Sequence, residues 1–443
     1  MTPTLHGLRE DPQARTDIAF ATLPQLGAML RSGEVSAVEL AKRFLERTSR
    51  LGPKYNCVVT LTESLALEQA ARADEELMAG KIRGPLHGIP YGAKDLLATK
   101  GYPTTWGCAP YKSRILDQDA TVIRKLRDAG AVLIAKLSMV EVAGGMGYRQ
   151  PNAAFTGPGL NPWNVNTWSG GSSSGSGSAV AAGLVPFAIG TETWGSITTP
   201  ASYCGLTGLR PTYGRVSRHG AMALSYSLDK IGPMARTSHD CGLILDAIAG
   251  SDPDDVSSSH RPYDYPPLDP PRQPFRLAIL KNGVEQAHPQ VKANFLKAVE
   301  VLRGLGDVQE IDPPDGPHSL VTTTILSAEM ASAFEEMVES GEVFQLTAPE
   351  DRLGGFADQA VLATEYLRAQ RIRERLCRAF DEWIAPYDAV LTVPTAGPAP
   401  PISGAFNGRY SSRSLGGPGN LCGTPALVLP TGLTDDKLPT AIQ

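Results

Sequence analysis

Apolar residues between Leu23 and Arg50 recur at the three- and four-residue spacing of a helix face, at Leu26, Met29, Leu30, Val38, Leu40, Ala41 and Phe44. Ser36 offers an N-cap for the second part of that stretch. A second amphipathic pattern runs from Glu63 to Met78, with Leu65, Leu67, Ala70, Ala71 and Leu77 on one side and charges on the other. Both read as packing helices at the edge of a core. From Thr121 to Ala129 a further helix is predicted, ended by Gly130, and AVLIAKL follows as a strand. Helix followed by strand indicates an α/β layer arrangement.

The pattern becomes irregular after that. GLTGLRPTYGRVSRHGAMALSYSLDKIGPMAR reads as turns and short strands, and a helix is expected over Asp240 to Ala249. Between Ser251 and Phe275 the chain is polar and rich in proline, which marks a boundary or a long surface connection. Beyond it FRLAIL is a strand and Val291 to Leu305 a helix. Ser319 to Ser340 and Ala357 to Trp383 give two long helices, and Asp388 to Thr395 a returning strand. Gly416 to Pro430 holds a small-residue turn or helix and then the strand ALVLP.

Charge adds little to this picture. With 41 Lys and Arg against 46 Asp and Glu, the chain is mildly acidic, which gives no support to a nucleic-acid-binding surface. MTPTLHGLREDPQART lacks an apolar signal core, and no stretch reaches the roughly eighteen apolar residues of a membrane span. A cytoplasmic protein with no membrane partner is the expectation. The six cysteines form no CxxC pair and read as reduced, buried small hydrophobes. The seven histidines show no HExxH and no ligand spacing, so no metal site is expected; His87 reads as a turn or packing residue.

The chemistry concentrates in TWSGGSSSGSGSAVAAGLVPFAIGTETWGS, Thr167 to Ser196. Its two Gly- and Ser-dense loops, Ser169 to Ser178 and Gly190 to Ser196, have the composition of a linker. Between them, Ala179 to Leu184 reads as a small-residue helix and Val185 to Ile189 as a buried strand, a pattern foreign to linkers. A nucleotide-binding loop fits poorly, because neither Gly-Lys-Ser/Thr nor GxGxxG occurs there. A nucleophilic serine with an oxyanion hole of loop N–H groups fits better, and needs a base from elsewhere. GPLHGIPYGAKD supplies a candidate: Lys94 closes a short, glycine-punctuated apolar strand, where a lysine gives up part of its preference for the charged form. A solvated Lys94–Asp95 surface pair is the competing reading.

Several of these stretches together resemble the amidase signature family of amide hydrolases. They are GPLHGIPYGAKD, AGAVLIAKLSMVE, NPWN, SGGSSSGSGSAVAAG, GTETWGSITTPA, GLTGLRPTYGRVS, DKIGPMAR and GNLCGTPALVLPTG, in the family's order. The resemblance implies an α/β fold with a central mixed β-sheet covered by helices on both faces, an N-terminal helical segment and a helical insertion. The divisions that follow are 1–80 (helical segment packed on the core), 81–260 (signature core), 261–387 (helical cap) and 388–443 (return to the core). The resemblance also implies a Ser-cisSer-Lys triad. Ser196 is then the nucleophile, Ser172, 24 positions earlier, the bridging serine after a cis peptide bond, and Lys94 the base. Main-chain N–H groups of Thr193, Trp194, Gly195 and Ser196 make the oxyanion hole, with Ser173 in support. No metal or organic cofactor is required, the partner is a small-molecule amide, and a homodimer is the assembly such enzymes usually form.

Three positions depart from the family's usual GTDTGGSIR, with Glu192 for Asp, Trp194 for Gly and Thr198 for Arg. An Asp and an Arg that pair behind the nucleophile are thus expected to be missing, and an indole stands at the oxyanion loop. The loop resembles stand-alone and peptide amidases more than the glutamine-hydrolysing component of the tRNA-dependent amidotransferase. That component holds the glutamine head group with an acid shortly before PxNLxGxP, where this chain has Arg413, Ser414 and Leu415. The expected function is amide hydrolysis through a serine acyl-enzyme; the alternatives are the glutamine-hydrolysing amidotransferase component and a catalytically silent binding protein. Family members continue past LPTAIQ with a strand and a helix, so the C-terminus reads as truncated.

Overall fold

The computed structural model describes residues 17–147, 151–266, 273–403 and 410–443. The opening stretch without a signal core and the middle of the proline-rich connection lie outside the described residues. The strands are β1 (Val58–Leu61), β2 (Pro90–Lys94), β3 (Val132–Leu137), β4 (Leu160–Asn161), β5 (Asn164–Trp168), β6 (Phe187–Glu192), β7 (Thr207–Arg210), β8 (Lys230–Ala235), β9 (Phe275–Leu280), β10 (Gly306–Ile311), β11 (Ala389–Leu391), β12 (Ala426–Leu433) and β13 (Pro439–Ile442).

Eight of them form one mixed sheet in the order β1-β3-β2-β6-β8-β7-β12-β13. Its centre is parallel: β2 pairs with β3 and β6 in the same direction, and all three are buried throughout. Strands covered on both faces need near-continuous apolar sequence, which PYGAK, VLIAKL and FAIGTE provide up to their polar last residues. Because β2 and β6 run parallel, with Ala93 opposite Ile189, their C-terminal ends deliver Lys94 and the Thr191–Ser196 loop to the same edge. β8 runs against β6, with Lys230 opposite Glu192, so the turn that begins with Asp229 reaches that edge as well.

The Gly- and Ser-rich run is core. Every residue from 169 to 180 is buried, and a helix already begins at Ser174, five residues before the apolar pattern predicts it. Small side chains are required because the backbone has no room: a Cβ on Gly175 would stand 2.5 Å from Cys57 O and from Ser138 N, and one on Gly177 2.9 Å from Pro200 Cβ. Burial overrides the low helix propensity of Gly and Ser.

At the N-terminus Gly33, with φ +75°, closes Leu23–Ser32, and Ser36 and Glu39 form a reciprocal capping box that starts Ala37–Tyr55. The two long C-terminal helices are each interrupted. The first ends at Ala333 and a short helix Glu335–Glu339 follows; the second separates into Asp351–Asp358 and Ala363–Ile384. A three-stranded parallel sheet, β10-β9-β11, carries helix Pro289–Arg303. Its core of Leu277, Val291, Phe295 and Val393 takes in Ile442 of β13. The last residues of the chain thus form the edge strand of the main sheet and contribute to the core of the smaller one. No helix among the described residues is long and apolar enough to cross a membrane.

Candidate active site

Lys94 is completely buried at the end of β2, with Nζ 2.8 Å from Ser172 Oγ and donating to Thr191 Oγ1 at 2.9 Å. Its salt-bridge alternative is excluded, because Asp95 turns the other way and pairs with the equally buried Lys136 at 3.0 Å. Burial pulls the Lys94 amine down to about 7, against the opposing pull of the Asp229 and Glu192 carboxylates. The Gly171–Ser172 peptide bond is cis. Ser173 ties the two loops together: its N–H donates to Ser196 O at 3.3 Å and its Oγ to Thr191 O at 3.2 Å. Ser196 is 5 % exposed, so the candidate nucleophile sits just below the surface.

The loop that precedes Ser196 is held from both sides. Thr193 Oγ1 donates to Asp229 Oδ1, while Asp229 Oδ2 accepts the N–H groups of Leu224 and Ser225 at 2.8 and 3.0 Å. Lys230 Nζ reaches Thr193 O at 3.4 Å. Burial raises the Asp229 carboxyl and lowers the Lys230 amine to about 7, the latter with help from nearby Arg210. Gly195 adopts φ +87°, the left-handed region open to glycine, and its carbonyl accepts from Thr199 N–H at 2.8 Å. Trp194 stands apart from these buried neighbours, with 37 % of its surface exposed.

The expectation that the acid–arginine pair behind the nucleophile is missing is corrected by the structure. Glu192 Oε1 lies 2.9 Å from Arg210 Nη1, both groups are buried, and Asn420 Nδ2 donates to the same oxygen at 3.1 Å. Glu192 Oε2 accepts the main-chain N–H groups of Ile197 and Thr198, each at 2.9 Å, the first residues after Ser196. Burial raises the Glu192 carboxyl, but the charges of Arg210 and Lys230 prevail and hold it at about 2. An acid one methylene longer than Asp therefore finds its cation on β7, and position 198 contributes a backbone donor.

Thr191, Arg210, Asp229 and Asn420 are the residues that sequence reasoning left without a role. Each lies inside a stretch that carried the family resemblance, GTETWGS, GLTGLRP, LDKIGP and GNLCGTP, so the signal was present without a partner to give it meaning. His87 belongs to another cluster, with its Nε2 3.2 Å from Glu76 Oε2. Beside Thr191 and Thr193 a cavity of about 200 Å³ opens, walled mainly by Leu96, Ala143, Met222, Leu224 and Ile231.

The sequence profile described as Amidase matches residues 39–443. The chain is 38 % identical to the glutamyl-tRNA(Gln) amidotransferase component GatA-type chain of Exiguobacterium sibiricum, over 94 % of this chain and 92 % of that protein. A chain from a vestigial protein complex bearing on the origins of an s-triazine catabolic enzyme superposes with a TM-score of 0.87 at 27 % identity, covering 96 % of this chain and 94 % of that one. The peptide amidase of Stenotrophomonas maltophilia gives a TM-score of 0.85 at 29 % identity, covering 97 % and 93 %. With the profile spanning nine-tenths of its length and the same fold in these enzymes, the chain belongs to the amidase family.

Proposed function

We propose that the chain hydrolyses small carboxamides to acid and ammonia or amine through an acyl-enzyme on Ser196. The observation that carries this reading is the buried Lys94 amine, lowered to about 7 and 2.8 Å from Ser172 Oγ. Lys94 takes the Ser172 proton as Ser172 takes that of Ser196, and Ser196 Oγ attacks the amide carbon. The carbonyl oxygen gains negative charge and is met by main-chain N–H groups of Thr193, Trp194, Gly195 and Ser196, each donor contributing on the order of 3 kcal/mol. The proton returns through Ser172 to the leaving nitrogen, the C–N bond breaks, and water hydrolyses the ester by the same relay in reverse.

The cavity beside Thr191 and Thr193, at about 200 Å³, supports a small substrate. A second reading, the glutamine-hydrolysing component of an amidotransferase, is favoured by the 38 % identity with such a protein along almost the whole chain. Trp194 beside Ser196 and Arg413 ahead of Gly416 weigh toward a substrate other than glutamine. Ammonia release by the purified chain alone separates the two: simple carboxamides are turned over and glutamine is not. Efficient release from glutamine, or no release from any amide until partner proteins are added, contradicts the stand-alone reading.

The same assay carries a pH prediction. Lys94 is lowered from 10.5 to about 7, and the neutral amine is the working form. Its fraction grows as protons are removed, so kcat/KM rises with pH through about 7 and levels off above. A profile that is flat from acid to alkaline pH, with chemistry rate-limiting, contradicts Lys94 as the base.

A further inference from the structure

We infer that Trp194 is a stacking platform that makes the site selective for carboxamides bearing a flat aromatic or heteroaromatic group on the carbonyl carbon. This rests on the acyl-enzyme reading and extends it to a substrate class. Trp194 lies two residues before Ser196, and 37 % of it is exposed where Thr193 and Ser196 show 6 % and 5 %. An open aromatic surface therefore adjoins a nearly closed nucleophile.

The back of the ring is fixed. A Cβ on Gly417 would stand 3.4 Å from Trp194 Cζ2 and 3.2 Å from Ser319 Oγ, and one on Gly416 would stand 3.5 Å from Trp194 Nε1. Two consecutive glycines at the start of helix Gly416–Leu421 thus make a cradle that an indole fills and a side chain would narrow. Asn420 of that helix also donates to Glu192, so the ring support and the nucleophile loop share one brace. A rigid indole with one side seated and another open favours a π-face laid against it over a saturated ring of equal size.

The test compares kcat/KM for benzamide and cyclohexanecarboxamide, which differ in flatness more than in size. The wild-type ratio is expected to favour benzamide about tenfold, to fall to near unity in Trp194→Gly, and to recover in Trp194→Phe. An unchanged ratio in Trp194→Gly overturns the platform. Calorimetric binding of the same two amides to Ser196→Ala, and to Ser196→Ala with Trp194→Gly, judges the platform without turnover: the preference appears in the first protein and vanishes in the second. No preference in Ser196→Ala overturns the platform, whereas full turnover by Ser196→Ala overturns the acyl-enzyme reading and leaves the binding comparison to decide on Trp194.

Discussion

Ser196→Ala is expected to lower kcat on any accepted amide on the order of a millionfold, the loss seen when the nucleophile of a cooperating set is removed. Thermal stability should be close to wild type. Ser196 is anchored by its main chain, whose carbonyl accepts from Ser173, and Glu192 holds the following N–H groups. Alanine preserves all of that and deletes one oxygen atom. Rate assays with a denaturation curve on the same preparation check both halves. Near-normal turnover removes Ser196 from the chemistry, and loss of fold would show that its hydroxyl is structural.

The second large effect concerns Arg210. Removing the cation in Arg210→Met leaves the buried Glu192 carboxylate without its strongest partner, and breaking a buried pair from one side costs about 3–5 kcal/mol. Urea unfolding should show that loss. Activity should fall further than stability alone explains, because Glu192 Oε2 positions the N–H groups that follow Ser196. Arg210→Lys restores the charge without the forked geometry that also serves Thr424 O, so recovery is partial. The control is Arg303→Ala, whose partner Glu300 is 71 % exposed; such surface pairs contribute about 0.2–1 kcal/mol. Equal stability losses in the two variants contradict the assigned role of the Glu192–Arg210 pair.

Lys94, Ser172 and Ser196 were legible because local composition singles them out: polar residues in glycine-dense loops set against apolar strand and helix. The parallel pairing of β2 with β6 turns those separate loops into one edge, and periodicity alone points to an α/β arrangement without that register. Arg210, Asp229 and Asn420 were not legible as site residues, since they meet Glu192 or Thr193 across 18, 36 and 228 positions of sequence. A buried charge pair is a tertiary property. The same limit explains Ser174 to Ser178, where propensity argues against a helix and close backbone packing imposes one. It also explains the interruption after Ala333, where Phe334 is buried in the main core while the helix on either side runs on in apolar spacing.

Trp194 shows the converse. The sequence marks it as a departure from its relatives, but its meaning depends on the glycine cradle more than two hundred residues away. Both observations are needed before a substrate class can be named.

The most direct test of the mechanism is to quench the enzyme during turnover of a slowly deacylated amide or ester and map the acyl group by mass spectrometry of the digested chain. The acyl mass is expected on Ser196 in wild type, with none in Ser196→Ala. An acyl group on Ser172 or on another residue, or a pre-steady-state burst with Ser196 unmodified, would contradict the proposed mechanism.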